Sequence, residues 1–222
     1  MSANPDFIYQ PPLSPYLDIV YRDEDLVVLN KPSGLLTVPG RLTEHKDCLQ
    51  TRVQRVLPTA TVVHRLDMAT SGILLMALNK AAHVNISRQF EKRQTEKQYL
   101  ARVYGHVKES SGEIDQPLIC DWPNRPKQKV DLQHGKKALT HYRVLSYQNN
   151  STLVELTPVT GRSHQLRVHM LSLGHPILGD RLYAHDQALT ESPRLQLHAH
   201  WLKITHPVTE QVLTFSTPCP FT

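Results

Sequence analysis

THYRVLSY, residues 140–147, and TLVELTPV, residues 152–159, are runs rich in β-branched and aromatic residues, separated only by QNNS, 148–151. Such runs favour extended backbone, and Asn and Ser suit the turn between them. Four residues are too few for a crossover connection, so the two strands are expected to be antiparallel. The same style recurs to either side. DIVYRDEDLVVLNKPSG, 18–34, reads as a hairpin around an Asp/Glu turn, closed by Pro32 and Gly34. KQYLARVYGHV, 97–107, reads as a strand, and HAHWLKITHP, 198–207, with QVLTFSTP, 211–218, flanks the short link VTE.

Helical spacing is rarer. Leu49, Val53, Val56 and Leu57 recur from about Asp47 until Pro58, and Ala82, Ile86 and Phe90 mark a second helix opened near Asn79. In SHQLRVHMLSLGHP, 163–176, Leu166, Met170 and Leu173 form a stripe, Ser163 is placed to cap the start, and Gly174 and Pro176 end it. Hairpins with few helices predict an α+β fold, a mostly antiparallel sheet in a single domain over 17–222. The Pro-rich opening, with Pro5, Pro11, Pro12 and Pro15, predicts an extended arm over 1–16.

The chain has 222 residues, with 25 Lys plus Arg against 20 Asp plus Glu, and 13 His. That excess suits a polyanionic partner without requiring one. The longest apolar run, Ile73 to Leu78, is too short to span a bilayer, and MSANPDF has no basic flank or apolar signal core, so a cytoplasmic protein is expected. Cys48, Cys120 and Cys219 are odd in number and form no CxxC pair, which argues against a disulfide framework and a cysteine zinc site.

Three stretches carry the candidate chemistry. In HRLDMATSG, 64–72, a strand through VVHRLD would put Arg65 and Asp67 on one face, ahead of turn chemistry at Thr70, Ser71 and Gly72. These residues alone leave two readings open: a reactive carboxylate, or an Asp that caps a turn or pairs with Arg65. In TGRSHQLRVH, 160–169, Arg162 stands at a strand-to-helix junction, and His164 and Arg167 are three apart, neighbours on one polar side. Two cations there hold an anion, or simply form a solvated helix face. His164 and His169, five apart, do not stack as metal ligands, and His198 and His200 lack a carboxylate or cysteine companion and read as structural. In CDWPNRPKQKVDLQHGKK, 120–137, Arg125, Lys127, Lys129, Lys136 and Lys137 cluster around prolines and a Gly turn, an exposed basic loop fit for phosphate contacts or an ordinary charge run.

Taken together, these stretches resemble the RluA family of RNA pseudouridine synthases. HRLDMATSG resembles the family's catalytic segment and GRSHQLRVH, 161–169, its second signature. NKPSG at 30–34, KQY at 97–99, GDRLY at 179–183 and LHA at 197–199 follow in the family's order, so the resemblance runs from about 17 to 218. It implies a central mixed, mostly antiparallel sheet flanked by helices and loops, with no metal and no organic cofactor. It implies RNA as partner, in structured stem-loops, with no membrane and no obligatory protein partner. Many members carry an S4-type RNA-binding module, for which this chain has no room. The short form and ICDWPNRPKQKV, 119–130, resemble a dual-specificity member that modifies large-subunit (23S) ribosomal RNA and the anticodon stem-loop of tRNAs.

The resemblance also assigns roles. Asp67 matches the nucleophile, Tyr99 the active-site tyrosine that stacks on uracil, Leu166 the apolar residue beneath the base, and Arg167 the basic partner of the Asp. Arg65 matches the residue that fills the space left by a flipped uridine. Arg162, His164, Arg125, Lys127 and Lys129 complete the expected RNA-binding set. A glycosidase needs two carboxylates about the bond, and the two signature segments hold one, Asp67. The rival readings are an inactive RNA-binding protein on the same fold and a hydrolase; for the latter no GxSxG or HExxH motif is present.

Overall fold

The computed structural model describes residues 8–222. Its strands are β1 (Ile19–Arg22), β2 (Leu26–Lys31), β3 (Thr61–Val62), β4 (Ser71–Ala77), β5 (Glu96–Tyr104), β6 (Ser111–Asp115), β7 (Leu118–Cys120), β8 (Gln128–Val130), β9 (Leu139–Gln148), β10 (Ser151–Pro158), β11 (Leu197–Thr205) and β12 (Val212–Ser216). Its helices are α1 (Leu49–Gln54), α2 (Lys80–Glu91), α3 (Gln165–Ser172) and α4 (Asp186–Thr190). Among the described residues no helix is long and apolar enough to cross a membrane. Two compact units divide the chain: Tyr9–Lys97 with His198–Cys219, and Gln98–Leu197 with Pro220–Thr222.

In the first unit the strand order is β1-β2-β4-β11, with β12 paired to β11 and β3 to β4. The predicted hairpins β1–β2 and β11–β12 are both present and antiparallel. β4 and β11 pair in parallel, Ser71 opposite His198 and Gly72 opposite Ala199. Gly72 has φ +110°, and a Cβ there would stand 2.3 Å from the Ala199 carbonyl oxygen, so the approach of these strands requires glycine. Every residue of β4 is buried. Ile73, Leu75 and Ala77 pack with Val28, Ile204 and Phe215 from neighbouring strands and with Ala82 and Ile86 from α2. Each large aliphatic side chain so buried contributes about 1.5–3 kcal/mol. Helix α2 begins where its sequence predicts, with the Asn79 side chain accepting the Ala82 N–H at 2.9 Å.

Helix α1 departs from expectation. It ends at Gln54, and Val56 is 60% exposed, because the helix is anchored by a polar residue that apolar spacing does not register. Arg52 is fully buried; it donates twice to Asp47 and through Nη1 to the carbonyls of Pro12 and Tyr16. The Tyr9 hydroxyl donates to the Asp47 carbonyl and accepts the Leu36 N–H. Residues 9–16 thus have no helix or strand yet are tied to this unit, while 1–7 of the expected arm lie outside the described residues.

In the second unit the order is β5-β10-β9-β6, antiparallel throughout. The β9–β10 hairpin turns through Asn149 at φ +51°, as QNNS predicts. Strands β7 and β8 make a separate two-stranded sheet. Helix α3 ends at Gly174, φ +82°, but its start differs from expectation. Ser163 does not cap it. His164 precedes the helix in a left-handed conformation, φ 54°, and the Gln165 side-chain oxygen accepts the Arg162 N–H and the Thr160 hydroxyl instead. Nor does a stripe describe it, since Gln165 to Met170 are all buried and Leu173 is half-exposed.

Candidate active site

Asp67 belongs to a loop, not a strand. β3 stops at Val62, so the same-face argument for Arg65 and Asp67 fails. Two turn residues, Met68 and Ala69, lead from Asp67 toward β4, with the Thr70 N–H bonded to the Asp67 carbonyl. The loop is clamped through its main chain by the NKPSG segment and its sequel. The buried Lys31 ammonium donates to the carbonyls of Pro32, Leu35 and Met68 at 2.9, 2.8 and 3.0 Å. The Ser33 hydroxyl donates to the Ala69 carbonyl, the Gly34 N–H to that of Met68, and the Thr37 hydroxyl to that of Leu66. Leu66 is buried, Asp67 half-buried and Arg65 exposed. A carboxylate is thereby held on a loop whose neighbours have fixed backbone positions, the arrangement that positional catalysis needs.

His64 has a structural task. Its Nε2 accepts the Leu75 N–H at 3.0 Å, and its ring stacks on Phe90 at 4.5 Å. Burial, assisted by the Lys97 charge, pushes its pKa down to about 3, so it is neutral. Three other first-unit histidines also hold structure. His198 bridges the Ser71 and Thr217 hydroxyls, and His200 bonds the Thr217 carbonyl, as the structural reading of both predicted. His206 stands with Asp23 and Asp25 in a three-residue cluster of potential metal ligands. Its Nδ1 accepts the N–H groups of Val208 and Thr209, so Nε2 carries the hydrogen and donates to Asp23. The nitrogen facing the carboxylates therefore has no lone pair for a cation.

In the second unit, Tyr99 is half-buried on β5 opposite Leu156 of β10. Leu166 and Arg167 are 7% and 5% exposed on the first turn of α3. Arg167 is therefore not on a solvated helix face. Its Nε and Nη2 donate to the two oxygens of buried Asp180 at 2.7 and 2.6 Å, a bidentate pair that fixes the guanidinium plane. Asp180 Oδ1 also accepts the Leu182 N–H. Gly179 has φ +70°, and a Cβ there would stand 2.1 Å from the Arg194 carbonyl, so the GDRLY segment reaches this position only with glycine. Tyr183 lies under the arginine, 5.1 Å from ring centroid to Cζ. Its hydroxyl accepts the Gln128 N–H and is hydrogen-bonded to His164 Nδ1, each at 2.7 Å. His164 and Arg167 are neighbours, as their spacing predicts, but they meet across Tyr183. Asp180 and Tyr183 did not stand out as site residues, because thirteen and sixteen residues of chain separate them from Arg167; the GDRLY match was the available signal.

The basic stretch is a hairpin rather than a loop throughout. β7 and β8 pair from Leu118–Val130 to Cys120–Gln128, and Gly135 supplies the expected turn, its N–H bonded to the Asp131 carbonyl. Arg125, Lys129, Lys136 and Lys137 are exposed, while Lys127 is half-buried. Arg162 is exposed and donates to the Lys137 carbonyl, tying the second signature to this segment.

Residues 25–172 match the family of RNA pseudouridylate synthases. The chain belongs to that family and is an isomerase that converts uridine in RNA to pseudouridine. The dual-specificity RNA pseudouridine synthase RluA of Salmonella typhimurium is 58% identical over 214 residues, 96% of this chain and 98% of the relative. Its namesake from Haemophilus influenzae is 55% identical with the same coverage. Human RNA pseudouridylate synthase domain containing 1, a solved structure, is similar with a TM-score of 0.80 and 34% identity, over 96% of this chain and 87% of its own.

Proposed function

We propose that this enzyme acts on two kinds of RNA, large-subunit ribosomal RNA and the anticodon stem-loop of tRNAs, in the cytoplasm. The observation that carries this is the 58% identity, over nearly the full length of both chains, to a relative named for dual specificity. The family match takes in parts of both compact units, which supports reading 17–222 as one catalytic domain behind an arm over 1–16.

In this reading Asp67 is the nucleophile. The bond from uracil N1 to ribose C1′ breaks, the base turns, a bond from C5 to C1′ forms, C5 loses its proton and N1 gains one. Three routes are open to the carboxylate: attack on C1′, attack on C6, or assistance to proton loss from the sugar. Clamping of the loop by Lys31, Ser33, Gly34 and Thr37 supports a fixed attack position. Tyr99 stacks on the uracil and takes part in removing the C5 proton, and Leu166 packs beneath the base. Arg167, with its plane set by Asp180, supplies the basic group of the site. Arg65, exposed beside Asp67, fills the stack vacated by the flipped nucleotide. Arg162, His164, Arg125, Lys127 and Lys129 bind the RNA around it.

The test is tritium release from anticodon stem-loop and ribosomal fragments labelled at uridine C5. The native enzyme is expected to release tritium from both, and Asp67→Asn from neither. Arg65→Ala is expected to lose more activity on the stem-loop than on an unstructured oligomer. Release from one RNA only overturns dual specificity, and release by Asp67→Asn at the native rate overturns its assignment as nucleophile. No release by the native protein from either RNA favours a binder without chemistry.

A further inference from the structure

The tip of the β7–β8 hairpin carries Trp122, 68% exposed, in a segment otherwise made of charged and polar residues and prolines. The exposed indole presents a flat aromatic face within a cationic segment. One side of the ring is already occupied. The Arg125 guanidinium stands 4.0 Å from the ring centroid, and its Nε donates to the Trp122 carbonyl. The pair is preorganised: Asp121 N–H bonds the Lys127 carbonyl, Asn124 N–H the Asp121 carbonyl and Lys127 N–H the Asn124 carbonyl, while the Asn124 side chain holds the Asp121 carboxylate. The base of the hairpin is equally fixed. Leu118 and Val130 pack with Val168 and Tyr183, and the Tyr183 hydroxyl accepts the Gln128 N–H. The tip therefore projects from the same framework that positions Arg167.

We infer that Trp122, backed by Arg125, is a stacking platform for an unpaired base of the substrate RNA. A cation behind one face leaves a rigid aromatic surface to the other side, which is what an unstacked base needs, and stacking tolerates any base identity. The cations Lys127, Lys129, Lys136 and Lys137 on the same segment supply the phosphate contacts that bring a strand to it. Charge complementarity thus selects RNA rather than an apolar protein surface as the occupant. The inference rests on the proposal that the basic hairpin meets substrate RNA, and it adds the residue that contacts a base rather than the backbone.

Stacking and phosphate pairing differ in salt dependence, which gives a test. Binding of a stem-loop is measured against salt for native protein, Trp122→Ala, Trp122→Phe and Lys129→Ala. Trp122→Ala is expected to weaken binding roughly tenfold at every salt concentration without changing the slope, because no counterion is released by a stacked ring. Trp122→Phe should recover most of that loss. Lys129→Ala should lower the slope by about one counterion. The chain has two tryptophans, so Trp201→Phe leaves Trp122 as the sole indole, whose fluorescence should be quenched by saturating RNA. Native affinity in Trp122→Ala with unquenched Trp122 fluorescence overturns the stacking role. If Lys129→Ala also keeps the native slope, the hairpin is not an RNA surface and the underlying reading fails with it.

Discussion

The loop that carries Asp67 and the helix turn that carries Arg167 are both rigid, but they are fixed by different chemistry. The loop is held through its main chain: Lys31, Ser33 and Thr37 side chains and the Gly34 N–H donate to carbonyls at Leu66, Met68 and Ala69. The arginine is held by its own charge, two hydrogen bonds to one buried carboxylate. A main-chain clamp is shared among several donors and degrades by steps. A buried ion pair is held by charge, so removing its carboxylate takes counter-charge away from a guanidinium in a low-dielectric site.

The largest effect should therefore come from the pair. Asp180→Asn keeps an acceptor for the Leu182 N–H but removes the charge, and should cost about 3–5 kcal/mol, read from the midpoint of urea unfolding. A loss below about 1 kcal/mol would mean that the guanidinium finds another counter-charge and that the contrast between the two regions is false. Lys31→Met keeps the buried volume but strips a charged donor from three carbonyls. It should cost about 1.5–3 kcal/mol, with turnover falling as the Asp67 loop loosens. Full turnover in a destabilised Lys31→Met protein would show that the clamp serves folding alone.

The smallest effect concerns pH. His64 stays neutral in the native state down to about pH 3, whereas in the unfolded chain it binds a proton below its ordinary value of 6.5. Stability from this residue is thus complete above pH 6.5 and falls with pH through the window down to about 3, with a slope of one proton. His64→Gln keeps an acceptor for the Leu75 N–H without titrating, so the slope between pH 6 and 4.5 should fall by about one proton. His169, also held low chiefly by burial, retains its own share of the slope in the variant. An unchanged slope would mean that the His64 ring admits a proton in the native state.

What the chain shows before folding divides along the same line. Hairpins 18–34, 140–159 and 198–218 were legible because two-residue alternation and turn chemistry are local. Gly174 and Asn79 were legible as helix ends for the same reason. The resemblance supplied Asp67, Tyr99, Leu166 and Arg167 as a set. What held them was not legible, since Lys31 to Met68 and Arg167 to Asp180 are pairings made by tertiary packing, with no periodic signature. Ser163 failed as a cap because His164 takes the left-handed turn and Gln165 captures the Arg162 N–H, an exchange of roles between adjacent polar residues that composition does not distinguish. Nothing in the composition of the basic stretch marks Trp122, because exposure is a property of the fold.

Lys31 has a consequence beyond its support of the loop. Its ammonium is fully buried with donors directed to three carbonyls, whereas Lys129, Lys136 and Lys137 stand in solvent. An amine-reactive reagent will therefore mark the hairpin lysines at once and reach Lys31 only when the segment around Asp67 opens. The rate at which that one amine becomes labelled is a clock for local opening of the Asp67 loop, readable in the working enzyme without a substitution or a fluorophore.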